Sequence, residues 1–260
     1  MTASDAAFPA LEVKDIAVQF GGIRAIDHVS FAVGKGELVG LIGPNGAGKT
    51  TMLRVVSGQV RPQVGQVLLD GRDMRRFRVA QRARAGLGMS NQIVRPFRHL
   101  TILDNVALAV GHDRTASPLV AIGSVSRKRQ REQAMELLAL VGIASLAHAE
   151  PRSQPLGVLK RLEVARALAM KPVVLLLDEP LAGLNQAEAG KLADTILELN
   201  GGGVTIVLIE HNLAEAQRIC RHFLVLDNGR KIADGPVAAV MADDAVITAY
   251  LGEGWRNAAH

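Results

Sequence analysis

The chain has a single cysteine, Cys220, so no intrachain disulfide can form and a disulfide scaffold is excluded. Aromatic residues are scarce, at 3% of 260 residues, with six Phe, one Trp and one Tyr. That counts against a surface built to stack nucleic-acid bases. Long apolar runs are missing too. The most apolar, Val173–Leu177 and Val204–Ile209, span five and six residues, against about 20 for a membrane-crossing helix. Met1–Ala10 has no basic stretch followed by an apolar one, the pattern of a secretory signal. Together these absences predict a reducing, cytoplasmic setting. Neither sign of charge dominates. Thirty Lys and Arg against 25 Asp and Glu leave +5, which is compatible with nucleic acid or an anionic membrane as neighbour and selects neither.

What is present is apolar substance, 48% of the chain, in short strand-like runs alternating with helical periodicity. That alternation argues for α/β architecture, and the length for somewhat under two domains. Glu37–Ile42 reads as a strand running into a Gly-rich turn. Lys49–Ser57 reads as a helix closed by Gly58. Gln66–Leu69 is a strand ended by the Asp70-Gly71 turn signal. Thr101 and Asp104 form a capping box for a helix through Val110, and Gly111 to about Arg127 reads as a loop. Ala134, Leu137, Leu138 and Val141 make a helical stripe ended by Gly142. Val173–Leu177 is a buried strand. A second stripe, Ala189, Leu192, Ala193, Ile196 and Leu197, ends at Gly201–Gly203, before the strand Val204–Ile209. Asn212 with Glu215 reads as a helix N-cap.

Gly43-Pro44-Asn45-Gly46-Ala47-Gly48-Lys49-Thr50, followed by Thr51, fits G-x-x-x-x-G-K-[ST] between a strand and a helix. Glycines there let backbone N–H groups turn toward phosphate oxygens, and the following helix presents its positive end. Lys49 can reach the β- and γ-phosphates of a nucleotide, and the Thr50 hydroxyl can ligate Mg²⁺. Asp178 and Glu179 end the buried strand, where side chains of an open α/β sheet project into the ligand crevice. Asp178 can hold Mg²⁺, and Glu179 can orient and deprotonate a water. Phosphoryl transfer needs mostly placement and charge neutralisation, so few groups suffice.

With these residues the sequence resembles the ATP-binding cassette (ABC) ATPases, the motor subunits of ABC transporters, from about Leu11 to Gly252. The resemblance implies a P-loop α/β core with an N-terminal antiparallel β portion and an inserted helical subdomain. The cassette would span 8–252, with the core in 8–91 and 155–252, the subdomain about 92–154, and 253–260 as a tail. It also implies roles. Phe20 sits where the family places a ring against adenine, with a core or edge aromatic as the plainer reading. Gln92, in Ser90-Asn91-Gln92, matches the glutamine that senses Mg²⁺ and the attacking water. His211, in Ile209-Glu210-His211-Asn212, matches the switch histidine. Phe20–Ala25, Leu181–Asn185, Ile209–Asn212 and the ending Ala249-Tyr250-Leu251-Gly252 are similar to the ATPase subunits of branched-chain amino acid importers. Lipopolysaccharide-export ATPases share several of these marks. The implied partners are a second ATPase subunit, transmembrane permease subunits and, indirectly, a substrate-binding protein. The implied place is peripheral, at the cytoplasmic face of the inner or plasma membrane. A soluble ABC ATPase acting on nucleic acid or ribosomes is the rival, and one phosphate loop without a long coiled coil or extra domain counts against it.

One stretch departs from the family. Where it carries Leu-Ser-Gly-Gly-Gln or close to it, this chain has Gln154-Pro155-Leu156-Gly157-Val158. Gly157 is kept, but Pro155 offers neither hydroxyl nor N–H to a phosphate on the opposite subunit. Two readings follow: a heterodimer with one dominant hydrolytic site, or a subfamily in which Gly157 and the helix end suffice. The arginines at 72, 75, 76, 78, 82 and 84, and the cluster Arg127, Lys128, Arg129 and Arg131, read either as solvated faces or as a surface for anionic lipid. Phe97, Leu100 and Ile102 are apolar candidates for contact with the membrane subunits, or for the subdomain's own core.

Overall fold

Alternating apolar residues build the first hairpin. In β1 (Leu11–Phe20), Leu11 and Val13 point inward. A bulge at Lys14–Asp15, with Asp15 at φ +52°, re-phases the strand so that Ile16 and Val18 also face the core. The computed structural model describes residues 8–90, 95–111, 124–211 and 213–251. After β1 come β2 (Ile23–Val33), β3 (Leu38–Ile42), α1 (Lys49–Ser57), β4 (Val64–Leu69), β5 (Arg72–Asp73), α2 (Val79–Arg84) and β6 (Leu87–Ser90). Then follow α3 (Ile102–Val110), α4 (Ser124–Leu140), α5 (Leu156–Leu168), β7 (Val174–Asp178), α6 (Gln186–Gly201) and β8 (Thr205–Ile209). The chain continues through α7 (Leu213–Ile219), β9 (His222–Asp227), β10 (Arg230–Pro236), α8 (Val237–Met241) and α9 (Asp244–Leu251).

These strands form two sheets. One is antiparallel, in the order β2-β1-β4-β5, and the other runs β10-β9-β3-β8-β7-β6, parallel from β9 to β6. Every residue of β3, β7 and β8 is buried, because both faces of a parallel sheet are covered. The two-residue period sends alternate side chains to opposite cores. Val174, Leu176, Val207 and Ile209 join α1 and the antiparallel sheet, whereas Leu175, Leu177, Ile206 and Leu208 join α3 to α7. This is the expected P-loop core with its antiparallel portion, and α3 and α4 are the helical piece between β6 and α5.

Several expectations hold to the residue. Helix α1 spans Lys49–Ser57, and Gly58 closes it at φ +81°. Thr101 caps α3, its Oγ accepting the Asp104 N–H at 3.0 Å, while the Asp104 carboxylate accepts the Thr101 hydroxyl at 2.8 Å. The expected loop 111–127 is corrected at its end. Helix α4 already begins at Ser124, ten residues ahead of the first stripe residue Ala134, in a mostly polar and charged stretch that has no apolar stripe of its own. Residues 112–123, Asn212 and the tail 253–260 lie outside the described residues, as does the core boundary at 91–92. The apolar trio divides, with Ile102 buried in the helical core and Phe97 and Leu100 exposed.

The arginine cluster is not uniformly solvated. Arg82 is buried, and its guanidinium donates to the carbonyls of Val55, Val56, Met74 and Phe77. It thereby satisfies carbonyls at the C-terminal end of α1, where a cation also suits the helix dipole. Burial lowers its pKa. Arg75 pairs with Asp73 at 2.7 Å, and Arg72 lies over the Phe77 ring. Among the described residues no helix is long and apolar enough to cross a membrane.

Candidate nucleotide site

Three adjacent parallel strands deliver the site. In register, Leu41 of β3 faces Ile209 of β8, and Ile209 faces Asp178 of β7. Just beyond these positions come Gly43–Gly48, Glu210-His211 and Glu179. With about 4.8 Å between strands, the Gly-rich loop, Glu210-His211 and the carboxylates crowd one edge of the sheet.

The loop depends on glycine at its two ends. Gly43 has φ +148°, and a Cβ there would lie 2.1 Å from the Leu226 carbonyl oxygen. Gly48, at φ +103°, would meet the Ala25 oxygen at 2.7 Å. Between them Pro44, Asn45, Gly46 and Ala47 turn the backbone, closed by the Ala47 N–H donating to the Pro44 carbonyl at 3.2 Å. Lys49 is buried at 7% exposure, and its ammonium donates to the carbonyls of Gly43 at 2.6 Å and Pro44 at 2.8 Å. Burial lowers its pKa, and the charges of Glu179 and Asp178 oppose that shift.

Asp178 is buried at 7% exposure. Desolvation raises its pKa first and the neighbouring Glu179 second, while Lys160, Arg54 and Lys49 act in the other direction. A cation beside it would stabilise the carboxylate form. Glu179 adopts φ +48°, and its Oε1 lies 3.8 Å from the Nδ1 of His211. His211 is otherwise exposed.

A cavity of about 470 Å³ lies over the loop, lined by Asn45–Thr51 and Glu179. Phe20 ends β1, half exposed, opposite Ile23 across the Gly21-Gly22 turn. It is outside that lining, whereas Ile23, Arg24 and Ala25 are within it. Gln92 lies outside the described residues. Gly157, the second residue of α5, lines a separate cavity of about 340 Å³ with Pro155, Val158, Arg161 and Glu188. The structure therefore gathers Gly43–Thr51, Asp178, Glu179 and His211, and sets Gly157 apart.

Sequence reading missed Asn228 and Gly229, which also line the cavity. They form the β9–β10 turn, at φ +46° and +77°. The Gly229 N–H donates to the Ala47 carbonyl at 3.0 Å, and the Gly229 carbonyl accepts the Asp27 N–H at 2.8 Å. The Asn-Gly hairpin signal was there to read, but nothing local ties it to a phosphate loop.

Comparison with known proteins is consistent along the chain. A family profile described as "ABC transporter" matches residues 26–182, and one described as "Branched-chain amino acid ATP-binding cassette transporter" matches 230–255. The high-affinity branched-chain amino acid transport ATP-binding protein LivG of Salmonella typhimurium is 36% identical over 252 residues, covering 94% of this chain and 98% of the relative. The lipopolysaccharide export system ATP-binding protein LptB of Escherichia coli is 34% identical over 246 residues, covering 95% and 98%. A crystal structure of the ADP conformation of an ATP-binding cassette of an ABC transporter superposes with a TM-score of 0.81 at 29% identity, covering 95% of this chain and all of that one.

Proposed function

The chain belongs to the ABC transporter ATPases, and from that premise we propose that it drives an importer of branched-chain amino acids or similar small polar solutes. It is an ATP-binding, ATP-hydrolysing subunit of an ABC transporter. The observation that carries the importer assignment is the profile match over 230–255, outside the cassette match. The 34% identity to the lipopolysaccharide-export protein favours a second reading, an exporter motor.

In the proposed mechanism the free backbone N–H groups of the loop, in Asn45–Thr51, and the N-terminus of α1 bind the phosphates of ATP. Lys49 neutralises charge at the β- and γ-phosphates. Among the described residues no three His, Cys, Asp or Glu side chains gather to hold a metal by themselves. A buried carboxylate at the strand end, Asp178, and the Thr50 hydroxyl in the cavity lining suit Mg²⁺, which takes its other oxygens from phosphate and water. Asp178 and Thr50 would hold it, with Gln92 by family resemblance, and the bound ion would supply charge neutralisation between the phosphates. Glu179 orients the attacking water and takes its proton. His211 stands beside the Glu179 carboxylate, placed to sense the γ-phosphate. Phe20 stacks on adenine. Gly157 faces the nucleotide of a second ATPase subunit. The two subunits close under permease subunits at the cytoplasmic face of the membrane, and a binding protein delivers substrate from the other side.

The test is purification of the complex from membranes, identification of its partners and reconstitution. Permease subunits with a solute-binding protein, and ATPase activity stimulated by substrate-loaded binding protein, are expected. Co-purification with lipopolysaccharide-handling components would move the assignment to export, and co-purification with ribosomes or DNA would remove it from transport.

A further inference from the structure

Helix α5 starts at the divergent segment Gln154–Val158, yet one turn further on it reaches the chain's own nucleotide site. Lys160 is buried at 5% exposure, and its ammonium donates to the Glu179 carbonyl at 2.9 Å. That carbonyl belongs to a residue at φ +48°, a left-handed conformation uncommon for residues with a Cβ. The same stretch is gripped from the switch side. The Glu179 N–H donates to the Ile209 carbonyl at 2.9 Å. Glu210, buried at 1% exposure, accepts the Leu181 N–H on Oε1 at 2.8 Å. Residues 179–181 are thus fixed at three backbone atoms by α5 and by the two residues that precede His211.

Two of these holding groups are buried ionisable side chains. A buried ammonium is costly unless opposite charge stands near it. Around Lys160 that charge comes from Glu210 first, then Glu179, Asp178 and Glu163. Burial raises the Glu210 pKa, and the Leu181 N–H opposes the shift. A neutral hydrogen-bonding side chain could serve either backbone group without burying a charge. A charged group on the Glu179 backbone and a second on Leu181, two residues on, therefore point to positioning.

We propose that Lys160 is a positioning residue that, with Glu210 gripping Leu181 from the other side, holds Glu179 in its left-handed conformation and so aims the carboxylate at the attacking water. The proposal rests on the reading of Glu179 as the base. It gives the divergent signature helix a task within its own subunit: α5 shapes the hydrolytic site of the chain that carries it, whatever it contributes across a dimer interface.

The test uses the full chain in its reconstituted complex. Lys160→Met is expected to lower kcat for ATP hydrolysis about 10-fold or more, the scale of a lost charge-assisted hydrogen bond. KM and fluorescent-ATP affinity should stay within about twofold, because the phosphate loop is untouched. Lys160→Arg should recover at least about half of kcat, since charge and donor return. Amide exchange at Leu181 and Ala182 should quicken in the methionine variant and return with arginine. Lys160→Gln, which keeps a donor and loses the charge, is read if the methionine variant fails to assemble, and about a threefold loss of kcat or more is expected. A kcat within twofold of the parent in either soluble variant overturns the proposal. So does a loss that arginine leaves unrepaired, which would mark Lys160 as a packing residue. Glu179→Gln run alongside separates the two layers: if it alone keeps normal turnover, the assignment of the base has failed; if it abolishes turnover while Lys160→Met does not, only the positioning role has.

Discussion

The phosphate loop and the start of α5 line separate cavities of the chain, and they are built on opposite terms. At the loop nearly every position is dictated. Gly43 and Gly48 have no room for a Cβ, Lys49 is tied to two carbonyls, and the Asn228-Gly229 turn braces Ala47 from below. At the start of α5 little is dictated. Pro155 occupies the N-cap without a capping side chain, and its carbonyl accepts the N–H groups of Val158 and Leu159. The Glu188 carboxylate stands where a Cβ on Gly157 would meet it at 3.4 Å. A carboxylate at a helix N-terminus is stabilising in itself, but it opposes the approach of a second anion such as a phosphate. A backbone-built phosphate site leaves no freedom at its fixed positions, whereas a site that borrows one hydroxyl and a helix end can lose the hydroxyl and keep the helix. In our reading this chain keeps the competent half of a composite site and offers a weakened half to its partner.

That contrast can be tested from each side. The largest effect belongs to Glu179→Gln, expected to slow hydrolysis by about 10²–10⁴ with ATP binding retained, as read by single-turnover hydrolysis beside nucleotide affinity. Next comes Arg82→Met. It strips four backbone carbonyls of their buried donor and should lower unfolding stability by about 2–4 kcal/mol in urea titration. Unchanged stability would mean that the support of α1 lies elsewhere. Lys49→Met follows, expected to weaken ATP binding by about 10–100-fold, the range of a hydrogen bond to a charged group. An affinity within twofold of the parent would deny Lys49 its place at the phosphates.

Legibility in the sequence divides along the same line. The phosphate loop, α1 and the Asp178-Glu179 strand end could be read because their chemistry is written in consecutive residues. Helix α4 was half readable. From Ala134 onward it carries an apolar stripe, but its first turns have none, and periodicity is the only signal a sequence offers there. Arg82 was hidden in a run of arginines, because only folding decides which of them is enclosed by α1 and the β5–α2 connection. Lys160 and Glu210 were unreadable as a pair. They lie fifty positions apart, and only the fold brings both to Glu179–Leu181, Lys160 from α5 and Glu210 from just past β8. Pro155 and Val158 stood out against the family pattern, but the carboxylate of Glu188 beside them arrives from α6.

The central claim is that Gln154–Val158 limits the site it completes. The most direct test restores the missing side chains. The double substitution Pro155→Ser with Val158→Gln should raise ATPase turnover of the reconstituted complex, with about a threefold gain expected for one recovered transition-state donor in a partly solvated interface. Nucleotide affinity of the isolated chain should not move. Turnover equal to the parent, with the double variant folded and assembled, would contradict the claim and place this chain among cassettes for which Gly157 and the helix end suffice.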